Sequence, residues 1–189
     1  MTEPTEVDPS GDLTVQVGEN KHRKAFVVSS KAMCLASHVW CKMLEPTSLC
    51  EQKRVDLTDD DPEALLILLR ISHLQFSNVP LHVEYTLLVH LAVLCDKYEM
   101  AQLLLPWITP WQTDWKPHAL KGGYENLFFV AWVFSDLETY TAIARNWVMK
   151  STLDIDGNLV MGTNILKHKI MPPGALGLSA RSSCADDIR

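Results

Sequence analysis

The chain has 189 residues, 47% of them hydrophobic and 21% charged, which is enough for one well-buried core and a small satellite. A net charge of −6 and a pI near 5.6 leave no basic face for a phosphate backbone, so nucleic acid is set aside as a direct partner. Five cysteines at irregular spacing suit reduced, buried thiols better than a disulfide framework, and no structural disulfide is expected.

Residues 1–10 are acidic and contain Pro4 and Pro9, and they read as a flexible start. They lack the basic-then-apolar pattern of a signal peptide and the Arg-rich pattern of a transit peptide, so a cytosolic or nuclear location is expected. Leu13, Val15 and Val17 alternate with Thr14 and Gln16, the period-two pattern of a strand with one buried face, and Gly18 ends it. The basic cluster Lys21 to Lys24 is a solvated hairpin turn before a second short strand, Ala25 to Val28. Ser29 and Ser30 then offer N-caps to a short helix with Met33, Ala36 and Leu35 on its inner face, breaking near Ser37. A second short helix is predicted from His38 to Leu44, stopped by Pro46. A polar loop, TSLCEQK, leads to a third strand, Arg54 to Leu57, with Val55 and Leu57 pointing inward.

The acidic run Asp59, Asp60, Asp61 precedes Pro62 and Glu63, which is N-cap chemistry: an aspartate satisfies free amides, proline fits the first helical position, and glutamate complements the dipole. No calcium loop is present, since that takes ligands spread over about twelve residues around a central glycine. The helix it starts, Glu63 to Leu74, is apolar nearly all round and therefore buried on several sides. His82 to Trp107 holds the longest helical pattern, with Tyr85, Leu88, Leu91, Ala92, Cys95 and Tyr98 on one face of a central helix. His90, Asp96 and Lys97 keep it far from the about 20 mostly apolar residues of a membrane span. Met100 to Trp107 is a further short helix stopped by Pro106 and Pro110. Trp107, Trp111 and Trp115 stand four apart, and their expected role is packing rather than ligand stacking. Lys121 to Gly123 mark a linker. Two helices follow, one with Leu127, Phe128, Ala131, Trp132 and Phe134, the other with Leu137, Tyr140, Ala144, Trp147 and Val148 and with Ser135 at its cap. Asp156 to Asn158 read as a tight turn or hairpin, and Pro172 to Arg189 have little apolar pattern.

The blocks GDLTVQVG, FVVSSKAMCLASHVWCKML, VDLTDDDPEALLILLRISH and LLVHLAVLCDKYEMAQLL stand in the order and near the spacing of the BTB/POZ family, which the chain resembles over Gly11 to Trp115. It is most similar to the stand-alone forms common in filamentous fungi, whose short helical region Tyr124 to Lys150 resembles. The resemblance implies an α+β fold: a small sheet with a flanking helical cluster at 11–116, a small α-helical extension at 117–171, and a flexible tail at 172–189. It also implies a non-enzymatic interaction module that forms homodimers, hetero-oligomers with another BTB protein, or adaptors docked on a cullin scaffold of a ubiquitin ligase. Zinc-finger members dimerise through a long helix ahead of the first strand, and the eleven residues before Asp12 are too few for it. Their dimers set an aspartate against a basic residue; Asp12 matches the aspartate, while Ser30 stands at the basic position with Lys31 beside it. Cullin-binding members often carry a hydrophobic residue, any residue, then glutamate ahead of the third strand, and Leu49, Cys50 and Glu51 match.

Catalytic motifs offer little against this. The chain has no glycine-rich phosphate loop, no GxSxG, no HExxH and no CxxC. Cys34, His38 and Cys41 share one face of a straight helix as three zinc-ligand types, but the break at Ser37 spoils that geometry. Cys95, with His90 or Asp96 nearby, sits on a central apolar helix that hides the thiol and raises its pKa. No cofactor, metal or small-molecule substrate is therefore expected. The candidate interaction surfaces are Asp12, the hairpin turn, the second short helix with Val39, Trp40 and Met43, and the loop at Leu49 and Glu51.

Overall fold

In the computed structural model, which describes residues 3–45, 54–153, 159–161, 164–165 and 170–173, the chain is mixed α+β and divides into two units, Met1–Trp111 and Gln112–Arg189. The division falls ahead of residue 116. Among the described residues no helix is long and apolar enough to cross a membrane.

The first unit is built on a four-stranded sheet of β1 (Thr5–Glu6), β2 (Leu13–Val17), β3 (Lys24–Val28) and β4 (Arg54–Leu57), in the order β1-β3-β2-β4. β2 and β3 form the expected hairpin, with Leu13 opposite Val28 and Val17 opposite Lys24. β4 returns parallel to β2, and β1 lies parallel to β3. The opening segment, read as flexible, thus carries a strand, and Val7 just beyond it is buried. Two glycines are required here. Gly11 passes so close to β3 that a Cβ would stand 2.6 Å from the Val28 carbonyl oxygen, and Gly18 turns the chain after β2 at φ 78°.

Ser29 Oγ accepts from the Ala32 amide and starts α1 (Ser30–Ala36); Ser37, extended at φ −149°, ends it and caps α2 (His38–Met43) by accepting from the Trp40 amide at 3.1 Å. Asp61 Oδ1 accepts from the amides of Glu63 and Ala64 and opens α3 (Pro62–Ser72) with Pro62 at the first position. Ala64, Leu65, Ile67, Leu68, Leu69 and Ile71 of α3 are all buried, and α3 packs on α4 (Tyr85–Lys97), the central helix. Full burial contributes about 1.5–3 kcal/mol for each leucine or isoleucine, so this helix pair carries much of the core.

α5 (Leu105–Thr113) corrects the expected stop at the prolines. Pro106 lies in the first turn, where its amide has no helical partner to lose, and Pro110 forfeits only the bond to the Pro106 carbonyl. The anchoring of Trp111, fully buried with Nε1 donating to the Pro80 carbonyl at 2.8 Å, holds that turn in place.

The second unit holds α6 (Leu127–Val133) and α7 (Leu137–Lys150), with Phe128 stacked on Tyr140 at 4.5 Å and tilted against Trp147 at 4.8 Å. The cap of α7 is Asp136 rather than Ser135: Asp136 Oδ1 accepts from the Thr139 amide and Oδ2 from the Thr139 hydroxyl, while Ser135 turns left-handed at φ 57°. Beyond α7 the extension expected to be helical adds a three-stranded sheet of β5 (Ser151–Leu153), β6 (Leu159–Met161) and β7 (Asn164–Ile165). β5 and β6 are antiparallel across the segment read as a hairpin; Asp156 to Asn158 themselves lie outside the described residues.

Candidate interaction surface

Helical phase sorts the side chains of α1 and α2. Met33 of α1 and Trp40 of α2, on either side of the break at Ser37, are both fully buried, whereas Leu35 is rotated about 200° from Met33 on α1 and stands 90% exposed. Leu35 was expected inside, and Trp40 was a candidate surface residue that could equally be core; the structure puts Leu35 outside and Trp40 inside. Trp40 packs its ring on Tyr98 at 5.1 Å, and a side chain of that size held inside fixes the helix pair on the core. Val39 is half-buried and Met43 is 40% exposed. The outward side of the pair therefore presents Leu35 and Met43 from helices anchored by Met33 and Trp40.

Asp12 lies at the start of this helix pair. Its Oδ1 accepts from the Ser30 amide at 2.8 Å and its Oδ2 from the Ser30 hydroxyl at 2.6 Å. Where a basic residue was the comparison, a neutral serine of the same chain engages the carboxylate. Leu49 and Glu51 lie outside the described residues.

Beneath α2 runs a polar network that sequence reasoning missed. Asp60, read as one of three N-cap acids, is buried; Tyr98 Oη donates to its Oδ2 and Lys97 Nζ lies 2.5 Å from its Oδ1. Ser37 Oγ, besides capping α2, donates to the Tyr98 carbonyl at 2.6 Å. The end of α4 is thereby tied both to the α1–α2 break and to the loop before α3. Burial pushes the Tyr98 hydroxyl pKa up, the hydrogen bond and charge of Asp60 push it further, and the Trp40 indole beside it acts the opposite way. A buried carboxylate is tolerable here because a cation and a hydroxyl satisfy it. His38 Nδ1 and Glu99 Oε2, 3.1 Å apart, add an exposed pair just past the end of α4, and His90 Nδ1 and Asp61 Oδ2, 3.4 Å apart, a partly exposed one between the middle of α4 and the start of α3.

The groups considered for catalysis or metal do not assemble. His38 faces Glu99 rather than Cys34 and Cys41, and among the described residues no three of His, Cys, Asp or Glu are placed to hold a metal ion. Cys34, Cys41 and Cys95 are free thiols; burial, then the charge of Asp96, raises the Cys95 pKa well beyond the usual thiol range. At the hairpin turn Glu19, Asn20 and His22 line a shallow, open groove with Asp59 and Asp61, and Arg23 pairs with Asp56 at 2.5 Å. Within the tryptophan row, Trp111 is core and Trp107 packs tilted against Phe76 at 5.5 Å, so these two are packing residues, while Trp115 lies beside His118 and Tyr124 at 6.2 Å from each. Leu74, Phe76 and Leu81 form a second set of exposed apolar side chains that no pattern in the sequence singled out. No family model matches this chain, and no curated protein matches it.

Proposed function

We propose that the chain is a non-enzymatic protein–protein interaction module of BTB/POZ type, acting by self-association or by pairing with another BTB protein. The observation that carries this reading is the α1–α2 pair, which holds Leu35 at 90% exposure while Met33 and Trp40 anchor the two helices fully inside. Preorganised apolar anchors of this kind supply most of the affinity of an interface, because little ordering remains to be done on binding. The element order supports the same reading: hairpin, two short helices, a strand parallel to the first of the hairpin, a buried helix and a central helix. No cofactor and no small-molecule substrate enters it.

Size-exclusion chromatography with light scattering over a tenfold concentration range tests self-association. A dimer is expected, and Leu35→Lys with Met43→Lys should return it to monomer with unchanged circular dichroism. A wild-type monomer throughout the range would overturn self-association and leave pairing with a different protein. The pattern at Leu49, Cys50 and Glu51 favours one such partner, a cullin scaffold of a ubiquitin ligase, with the chain as adaptor.

A further inference from the structure

A neutral imidazole has one nitrogen that donates and one that accepts, and the partners decide which is which. His73 closes α3, and both of its ring nitrogens meet backbone groups. The Ser29 amide donates to His73 Nε2 at 2.9 Å, so Nε2 carries no hydrogen. The hydrogen therefore sits on Nδ1, which faces the Leu69 carbonyl at 2.7 Å, one turn back on α3. Only the neutral ring with hydrogen on Nδ1 makes both bonds. Ser29 is the N-cap of α1, so this half-buried ring ties the start of α1 to the end of α3.

We propose that His73 is an acid-sensitive latch: protonation of its ring releases the start of α1 from the end of α3. A protonated ring donates from both nitrogens, so the Ser29 amide meets an N–H where it had an acceptor, and a part-buried donor is left unsatisfied. The Leu69 bond survives, because Nδ1 donates in either state. The charged groups on the surrounding elements are engaged elsewhere. Arg70 of α3 donates to the Asn78 carbonyl, Asp12 holds Ser30, and Asp8 Oδ1 accepts from the Ser10 amide. On α4, His90 pairs with Asp61 and Lys97 with Asp60, both ahead of the first turn of α3. Glu6 of β1, Lys24 of β3, Lys31 of α1, Glu63 of α3 and Asp96 of α4 are exposed to water. Burial holds the thiols of Cys34 on α1 and Cys95 on α4 protonated throughout. The latch is thus closed above the range in which imidazoles take up a proton and opens below it. It does not depend on the chain being an interaction module.

The test follows the full-length, isotope-labelled protein by nuclear magnetic resonance between about pH 8 and about pH 5. At the upper pH the His73 ring should show a bare Nε2 and a protonated Nδ1. As the ring takes up its proton, the protection factor of the Ser29 amide, referred to the unstructured rate at each pH, should fall about tenfold, the loss of one hydrogen bond. His73→Gln offers an amide oxygen with no proton to gain over this range, so its Ser29 protection should stay level. Hydrogen on Nε2 at the upper pH would overturn the proposal. So would ring protonation that leaves Ser29 protection unchanged, or a fall of the same size in His73→Gln, which would assign the effect to another group.

Discussion

Tyr98 donates its hydroxyl hydrogen to the buried carboxylate of Asp60, across 38 positions of sequence, and this bond joins the end of the central helix to the loop that starts α3. Tyr98→Phe keeps the ring against Trp40 and removes only the donor. It should lower the unfolding free energy by about 1–3 kcal/mol, the cost of leaving one acceptor of a buried carboxylate unsatisfied. The pH dependence has a definite sign. Because the native hydroxyl is held above the about 10 of a free tyrosine, the native state keeps its proton where the unfolded chain releases it. This contribution is complete below about pH 10 and declines as pH rises toward the native value. Urea titrations at about pH 8 and about pH 11 should show the wild type losing more stability between them than Tyr98→Phe does.

Asp136 offers the opposite sign. Burial alone would raise its pKa, but hydrogen bonds from Lys116 Nζ at 2.8 Å and from Thr139 outweigh that and hold it below the usual carboxylate range. Its stabilisation is present above the about 3.9 of an unfolded aspartate and is lost as pH falls through the lower native value. Asp136→Ala should cost about 0.5–2 kcal/mol as a lost N-cap. Thermal melts at neutral and acidic pH should show that difference shrinking in acid.

Leu74 sits at φ 59°, where α3 ends, with the Gln75 amide donating back to the Arg70 carbonyl at 2.8 Å. A left-handed residue at this place is usually glycine, because a Cβ clashes with the neighbouring carbonyl. Leu74 is 75% exposed, so removing its side chain takes little from the core. Leu74→Gly should raise stability by about 0.5–1 kcal/mol, whereas Leu74→Ala, which keeps the Cβ, should not. Chemical denaturation of the two variants side by side decides it.

If the adaptor reading holds, Leu49→Ala with Glu51→Ala should abolish co-purification with a cullin and leave the melting temperature unchanged. Unchanged co-purification would sink the adaptor reading, and a large drop in melting temperature would make Leu49 a core residue.

What was legible in the sequence was local chemistry. Period-two alternation located β2 and β3, Ser37 marked the break between α1 and α2, and Asp61, Pro62 and Glu63 announced the start of α3, each acting within a few residues of itself. Helix ends were harder because α3, α4 and α6 close with the same back-bonded turn yet carry Leu74, Glu99 and Ser135 in the left-handed position. The usual glycine signal is missing from all three. Asp60 looked like its neighbours Asp59 and Asp61 because what distinguishes it, Lys97 and Tyr98, comes from a distant helix. The outward place of Leu35 has the same origin: residue type alone favours burying both Leu35 and Trp40, and the rotation of each short helix on the core decides which goes in.

β1 is two exposed residues long, but it covers the outer edge of β3, with the amides of Val7 and Asp8 both donating to the Val27 carbonyl at 3.0 Å and Gln75 Nε2 holding the Val7 carbonyl at 2.6 Å. An uncovered strand edge is a template on which another chain can pair. The opening segment therefore acts as a guard against aggregation, set in place by α3's exit loop. Clipping residues 1–8 would leave the Phe26 and Val27 edge bare and turn a chain that folds on itself into one that can recruit copies strand to strand.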